Sequence, residues 1–175
     1  MKKLSFQIAF GGISAALCII MMLSVGLFPI LVYVFPMLSS LVIFAVNYEC
    51  GIKTAATSYI SVSLLSLILS PDKESALLFL FFFGCYPLLS GYIDRLKSAL
   101  FRWVVRFAFF NAAMVASYFL LIKVFVAVEM NEFGKYTVPV LLVSANLLLV
   151  LYDRMLRAIE VVYVRKIRKK LFKRK

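Results

Sequence analysis

The sequence predicts an all-α fold, a polytopic membrane bundle of six transmembrane helices with both termini in the cytoplasm. Three observations predict it. Of the 175 residues, 64% are hydrophobic and only 16% are charged, against about 25% charged residues in soluble domains. Uncharged runs of about 20 residues, each long enough to cross a hydrocarbon core of about 30 Å, fill nearly the whole chain. Basic residues concentrate on alternate connections between these runs.

Six spans result when the uncharged runs are cut at charges and at glycine or proline clusters. They are predicted at residues 5–25, 28–47, 54–70, 76–93, 103–127 and 136–152. The first follows a basic start but continues past a typical signal core of about 7 to 15 residues, so we expect it to remain as a helix. The third is the shortest and is rich in hydroxyl groups. We expect residues 1–175 to form one integral membrane domain.

The positions of lysine and arginine orient the bundle, because cytoplasmic loops carry the excess of both. With the N-terminus inside, 17 of the 20 basic and four of the eight acidic residues lie on the cytoplasmic side, a net charge of +13. The outer side then has three basic and four acidic residues, a net charge of −1. The expected location is a bacterial plasma membrane, crossed several times.

The fourth span, in "ALLFLFFFGCYPLLSGYIDRLK" from Ala76, contains Pro87. A lone strand would leave its backbone polar groups unsatisfied in lipid, so this stretch is predicted as a helix. Proline removes one backbone donor and clashes with the carbonyl four residues back, at Phe83, so we expect a kink close to Gly84. The kink either fits the neighbouring helices or bends the span around a cavity, with Tyr86 turned toward it.

The first helix carries the small-residue segment "GGISAA". Gly11 and Ala15 are four residues apart on one face, and Gly12 and Ala16 have the same spacing on an adjacent face. Small residues at this spacing let membrane helices approach closely. The segment either packs inside the protein's own bundle or docks a separate membrane subunit.

Polar side chains deep in the later spans are the candidate substrate-binding residues. Asn111 and Asn146 each lie within an apolar span, where an amide is costly unless it is hydrogen-bonded, so both should face the bundle interior. They either bond neighbouring helices or line a small-molecule pocket together with Tyr118. Lys123, near the outer end of its span, either extends to the headgroups or binds a substrate carboxylate. Weaker candidates for the same cavity are Tyr59 and Ser63 of the third span.

The end of the chain, residues 153–175, is predicted to be a basic amphipathic tail on the cytoplasmic surface. Its apolar residues recur every three or four positions and basic residues occupy the remainder. Each basic residue near an anionic leaflet contributes about 1 kcal/mol, so binding to anionic lipid explains the tail without nucleic acid.

Catalysis has little support in this sequence, and we expect no enzyme activity. The chain has no histidine, no acidic pair within a span, and neither a GxSxG nor a GxxxxGK[ST] motif. Its three cysteines, Cys18, Cys50 and Cys85, form no CxxC pair and are expected to be free thiols. We expect no metal and no cofactor, and any energy from ATP must come from a partner.

These features resemble the membrane-embedded substrate-binding (S) components of energy-coupling factor (ECF) vitamin transporters. The resemblance covers the length, the six spans with both ends inside, the "GGISAA" face, and "CGIKTAATSYISVSLLSLI", which is similar to the family's entry into its third helix. The segment "FFFGCYPLL" also resembles uncharacterised small membrane proteins of Gram-positive bacteria.

The resemblance implies capture of a vitamin or similar small organic nutrient, with transport energised by a separate module. It implies contact with a transmembrane coupling subunit and ATPases through Gly11, Gly12, Ala15 and Ala16. It places the ligand pocket in the outer halves of the later helices, near Tyr118, Lys123 and Asn146. The alternative is a non-transporting membrane scaffold, since the MreD-like scaffolds of cell-wall synthesis have a similar bundle and need no ligand.

Overall fold

The computed structural model describes residues 4–125 and 137–163, and every regular element within them is helical, which confirms the all-α class. In chain order the elements are α1 (Leu4–Ser24), a 3₁₀ turn (Pro29–Leu31), α2 (Val34–Cys50), α3 (Ile52–Leu69), α4 (Lys73–Leu78), a π-turn (Phe79–Phe83), α5 (Tyr86–Ile93), α6 (Ala99–Phe125) and α7 (Thr137–Val162).

The helices fall into two compact units, with α1 to α6 in the first and α7 in the second. Within the first unit, α1, α2 and α3 pack against one another. The fourth apolar span, formed by α4, the π-turn and α5, contacts α2, α3 and α6. This span is therefore the central element of the first unit, and most of its residues are buried.

Four helical segments in the described residues are long and apolar enough to cross a membrane: Leu4–Ser24, Ile52–Leu69, Lys73–Ile93 and Ala99–Ser117. The hydroxyl-rich third span is one of them. Helix α2 is also apolar but has 17 residues, about 26 Å at a rise of about 1.5 Å per residue. These segments are compatible with a membrane location, whereas the count of six spans stays a prediction.

The distribution of polar and apolar side chains in the first unit is compatible with a protein surrounded by lipid. Hydroxyl groups are placed inside, where neighbouring helices can satisfy them; the buried serines among the described residues are Ser14, Ser39, Ser40, Ser58, Ser63, Ser66, Ser70, Ser75 and Ser117. Large aliphatic side chains point outward; the exposed ones include Ile8, Ile13, Ile20, Leu64, Ile68 and Leu100. In water such an apolar surface would cause association.

Short connections with specific chemistry join the helices. Gly51 separates α2 from α3 with a φ of 90°, a left-handed conformation that glycine adopts without a steric penalty. Asp72 accepts a hydrogen bond from the amide of Ser75 at 2.8 Å and so caps the start of α4. Lys73 Nζ donates to the carbonyls of Leu67, Ile68 and Ser70 at the end of α3, where a cation also complements the helix dipole.

The fourth span is interrupted immediately before Gly84, close to the position at which the proline was expected to kink it. The interruption is a π-turn, in which the amide of Gly84 donates to the carbonyl of Phe79 at 2.8 Å, five residues back. Tyr86 is fully buried against Phe82, with ring centroids 5.2 Å apart. Aromatic packing thus holds Tyr86 inside the first unit.

The six-span topology predicts that a reporter fused after Lys175 and one inserted near Asn131 lie on opposite sides of the membrane. The physical reason is the excess of positive charge that six spans place in the cytoplasm. Paired alkaline phosphatase and fluorescent protein fusions measure the side directly. Both reporters on one side would contradict six spans.

Candidate docking and binding sites

The two small-residue faces of α1 have different surroundings. Gly11 is buried, and a Cβ built there would lie 3.0 Å from Cγ2 of Thr54 and 3.2 Å from Oγ of Ser58, both on α3. Gly12 is exposed, and among the described residues no heavy atom lies within 4 Å of a Cβ built there. Gly11 therefore allows α1 and α3 to pack closely, while Gly12 lies on an open surface.

The alanines one helical turn further along, Ala15 and Ala16, differ in exposure in the same way as Gly11 and Gly12. Ala15 is partly buried, and Ala16 is exposed like Gly12. The two interpretations of "GGISAA" thus apply to different residues. One face packs inside the bundle, and the face of Gly12 and Ala16 remains open to lipid or to a partner.

A groove of about 310 Å³ lies between α1 and α3. From α1 it is lined by small and apolar residues with one amide, and from α3 by hydroxyl residues. The lining residues are Leu4, Gln7, Ile8, Gly11, Gly12, Ala15, Thr54, Thr57, Ser58 and Ser61. Three of the four predicted partner-binding residues therefore line the same groove.

Three polar donors that line this groove already make hydrogen bonds within the protein. Gln7 Nε2 donates to the carbonyl of Cys50 at 3.2 Å, and Ser58 Oγ donates to the carbonyl of Gly11 at 3.3 Å. Thr57 Oγ1 donates to the carbonyl of Thr54 at 2.8 Å. These groups stabilise the walls of the groove and present oxygen lone pairs to an occupant. Such a surface suits close contact with a helix that has a small-residue face.

The predicted substrate-binding residues are only partly placed by the structure. Asn111 is partly buried on α6, and its Nδ2 donates to the carbonyl of Phe107 on the preceding turn at 2.8 Å. Asn146 is partly buried on α7, in the second unit. The side chains of Tyr118 and Lys123 lie outside the described residues. Whether these residues share a pocket therefore stays a prediction.

The weaker candidates on α3 are Tyr59 and Ser63. Tyr59 lies against the fourth span, and Ser63 lies inside the bundle. The hydroxyl of Tyr59 donates to the carbonyl of Leu80 in the π-turn at 2.5 Å. Ser63 is buried one helical turn further along α3. In this structure Tyr59 therefore supports the backbone of the fourth span.

An ion pair with a buried arginine lies at the junction of α5 and α6, between residues that the sequence assigns to the cytoplasmic side. Arg106 is buried in α6, where it forms an ion pair with Asp94 at the end of α5. Its guanidinium lies 5.4 Å from the ring centroid of Trp103. A buried cation requires such partners, so this cluster fixes the α5–α6 corner. The feature of the sequence that could have indicated this cluster is Trp103 between Arg102 and Arg106, at the start of a predicted span.

A second polar cluster joins the segment between α1 and α2 to the start of α4. The hydroxyl of Tyr33 donates to Oε1 of Glu74 at 3.0 Å. This hydrogen bond joins the segment between α1 and α2 to the first turn of α4.

No match was found among family models, curated proteins or solved structures. Within residues 4–125 and 137–163, no three histidine, cysteine or acidic side chains are grouped to hold a metal ion. The interpretation of the sites therefore rests on their own geometry.

Proposed function

We propose that the chain is a membrane-embedded substrate-capture subunit, which takes up a vitamin or similar small organic nutrient and is energised by a separate ATPase module. In this proposal it carries out no catalysis itself. The open face of α1 docks the transmembrane coupling subunit of that module. The basic tail, residues 153–175, binds anionic lipid at the cytoplasmic surface of a bacterial plasma membrane.

The observation that carries this proposal is the open groove beside Gly12. A glycine on a lipid-facing surface has no packing function within the bundle, and glycine costs about 1 kcal/mol relative to alanine in a helix interior. A closely approaching partner helix would offset that cost, because small residues permit backbone contact between membrane helices. The sequence has no GxxxxGK[ST] motif for binding ATP, so in this proposal the partner supplies the ATPase.

A non-transporting scaffold is the second candidate function. The observation that favours it is the uncharged connection from α1 to α2, in which Leu27, Phe28 and Ile30 are exposed. Such an apolar surface can contact other membrane proteins without any ligand. A scaffold would use the groove for wall-synthesis proteins rather than for a coupling subunit.

The substrate-capture proposal predicts that replacing Asn111 or Asn146 by alanine weakens ligand binding by about 1 to 3 kcal/mol, because a polar group of the ligand would be buried without its partner. The melting temperature without ligand should change little. The Asn111 variant removes a side-chain hydrogen bond to the carbonyl of Phe107. That carbonyl lies in a helix, where a backbone amide also satisfies it. A thermal-shift panel of vitamins and other small nutrients measures both quantities.

Ser117→Ala is the matched control, since Ser117 is buried on the same helix and donates to the carbonyl of Ala113 at 2.8 Å. It should leave ligand binding unchanged. Two results would contradict the binding role. One is a panel in which no compound shifts the wild type. The other is a lower melting temperature of the ligand-free variants, non-additive when the two are combined, which would identify both residues as helix contacts.

A further inference from the structure

The π-turn lies in the most buried of the four described segments that are long enough to cross a membrane, and a residue of another helix holds it. Gly84 donates to the carbonyl of Phe79, five residues back, so this turn holds one residue more than an α-helical turn. Pro87 follows and supplies no amide hydrogen to the turn before it. The span is therefore least regular between α4 and α5, at the middle of its length.

Tyr59 of α3 makes two contacts that depend on this geometry. Its hydroxyl donates to the carbonyl of Leu80 at 2.5 Å. Its ring occupies the space beside Gly84, where a Cβ would lie 2.6 Å from Cδ2 and 2.8 Å from Cε2 of the tyrosine. One side chain thus satisfies a carbonyl of the π-turn and fills the gap left by the glycine that ends it.

The other side of the turn packs on α6 through aromatic rings. Phe82 lies with its ring centroid 4.7 Å from that of Phe110 and 6.2 Å from that of Phe109. Aromatic pairs are favourable over a range of centroid separations, about 4.5 to 7 Å, whereas a hydrogen bond requires a short distance and close alignment. The contact with Leu80 is the directional one, and it comes from Tyr59.

We propose that the π-turn is a hinge in the fourth span and that Tyr59 is its latch. When the hydroxyl leaves the carbonyl of Leu80, the turn shortens to an α-helical turn by a shift of one residue. A shift of one residue corresponds to a rotation of about 100° and a rise of about 1.5 Å. The outer segment, α4, thereby turns relative to α5. This inference does not depend on the proposed function.

The position of α4 gives the hinge a consequence at the end of the span. Glu74, in the first turn of α4, accepts the hydrogen bond of Tyr33 from the α1–α2 connection. Asp72 caps the same helix. Rotation of α4 must therefore break or remake the Tyr33–Glu74 contact. A change at the Tyr59–Leu80 contact therefore also changes the contact of α4 with the segment between α1 and α2.

The test is nuclear magnetic resonance of the whole chain, labelled with ¹⁵N only at glycine, in detergent micelles. The chain has seven glycines, so the spectrum contains few signals, and the amide of Gly84 is itself the donor in the π-turn. Relaxation dispersion should show exchange on the microsecond to millisecond scale at Gly84 and none at Gly91. Tyr59→Phe should raise the minor-state population about fivefold, the effect of losing one neutral hydrogen bond.

Tyr92→Phe is the matched control, since it removes the same hydroxyl from an exposed tyrosine on α5. It should leave the dispersion at Gly84 unchanged. Absence of exchange at Gly84 in the wild type would overturn the hinge without any variant. A Tyr59→Phe protein that broadens all glycine signals equally would show general loosening and would overturn the latch.

Discussion

If the proposed coupling subunit docks at the open face of α1, replacing Gly12 with leucine is expected to reduce its recovery about tenfold while the chain itself stays folded. Leucine holds an approaching helix away from the α1 backbone and so removes the close contact that small residues permit. Among the described residues, no heavy atom lies within 4 Å of a Cβ at that position, so the bundle has room for the start of a larger side chain. Quantitative mass spectrometry of the tagged chain, purified from native membranes, measures the recovery.

Gly11→Leu is the control, and it should behave in the opposite way. A Cβ at Gly11 meets Thr54 and Ser58 at 3.0 and 3.2 Å, so leucine there overpacks the α1–α3 contact and costs about 1 to 3 kcal/mol. Its melting temperature should fall below those of the wild type and of Gly12→Leu. A folded Gly12→Leu protein that recovers the same partners as the wild type would contradict docking at this face.

Replacing Gly84 with alanine is expected to destabilise the chain by about 3 kcal/mol, or roughly 6 to 12 °C in melting temperature for a chain of this size. The new methyl group would lie 2.6 Å from the ring of Tyr59 and 2.9 Å from the carbonyl oxygen of Phe79. The ring can rotate away, but the backbone oxygen can move only with the π-turn. Thermal unfolding in detergent, followed by circular dichroism, measures the change.

Gly91→Ala serves as the matched control, because Gly91 lies on α5 and a Cβ there meets nothing within 4 Å. Alanine at that position should be neutral or slightly stabilising. In a Tyr59→Ala background, Gly84→Ala should cost less than in the wild type, because the ring is gone. Equal costs in the two backgrounds would show that Tyr59 does not occupy this space.

The helical class and the break in the fourth span were predictable because both depend on local properties. Uncharged runs of about 20 residues specify helices in lipid, and Pro87 breaks the helix wherever its neighbours lie. The form of the break was not predictable. A π-turn at Phe79–Phe83 depends on a ring from α3 beside Gly84 and on a hydroxyl that reaches Leu80. Both contacts come from Tyr59, which is more than 20 positions away from Leu80 and Gly84 in the sequence.

The sequence located the small-residue segment of α1 but not the role of each face. Gly11 with Ala15 and Gly12 with Ala16 have identical spacing, and α1 contains no charged residue, so no pattern of charges distinguishes inside from outside. The distinction arises from tertiary packing against Thr54 and Ser58. The Arg106–Asp94 ion pair was missed for a related reason, since counting charges by loop ignores how two helix ends meet.

Identification of the proteins that co-purify with the wild-type chain tests the central proposal most directly. The chain should be tagged at its C-terminus, extracted from native membranes in a mild detergent, and analysed by mass spectrometry with an assay of ATP hydrolysis. Substrate capture predicts recovery of ATPase subunits together with a transmembrane coupling subunit, and ATP hydrolysis in the purified complex. Recovery of wall-synthesis proteins alone, without any ATPase, would contradict the proposal and support the scaffold.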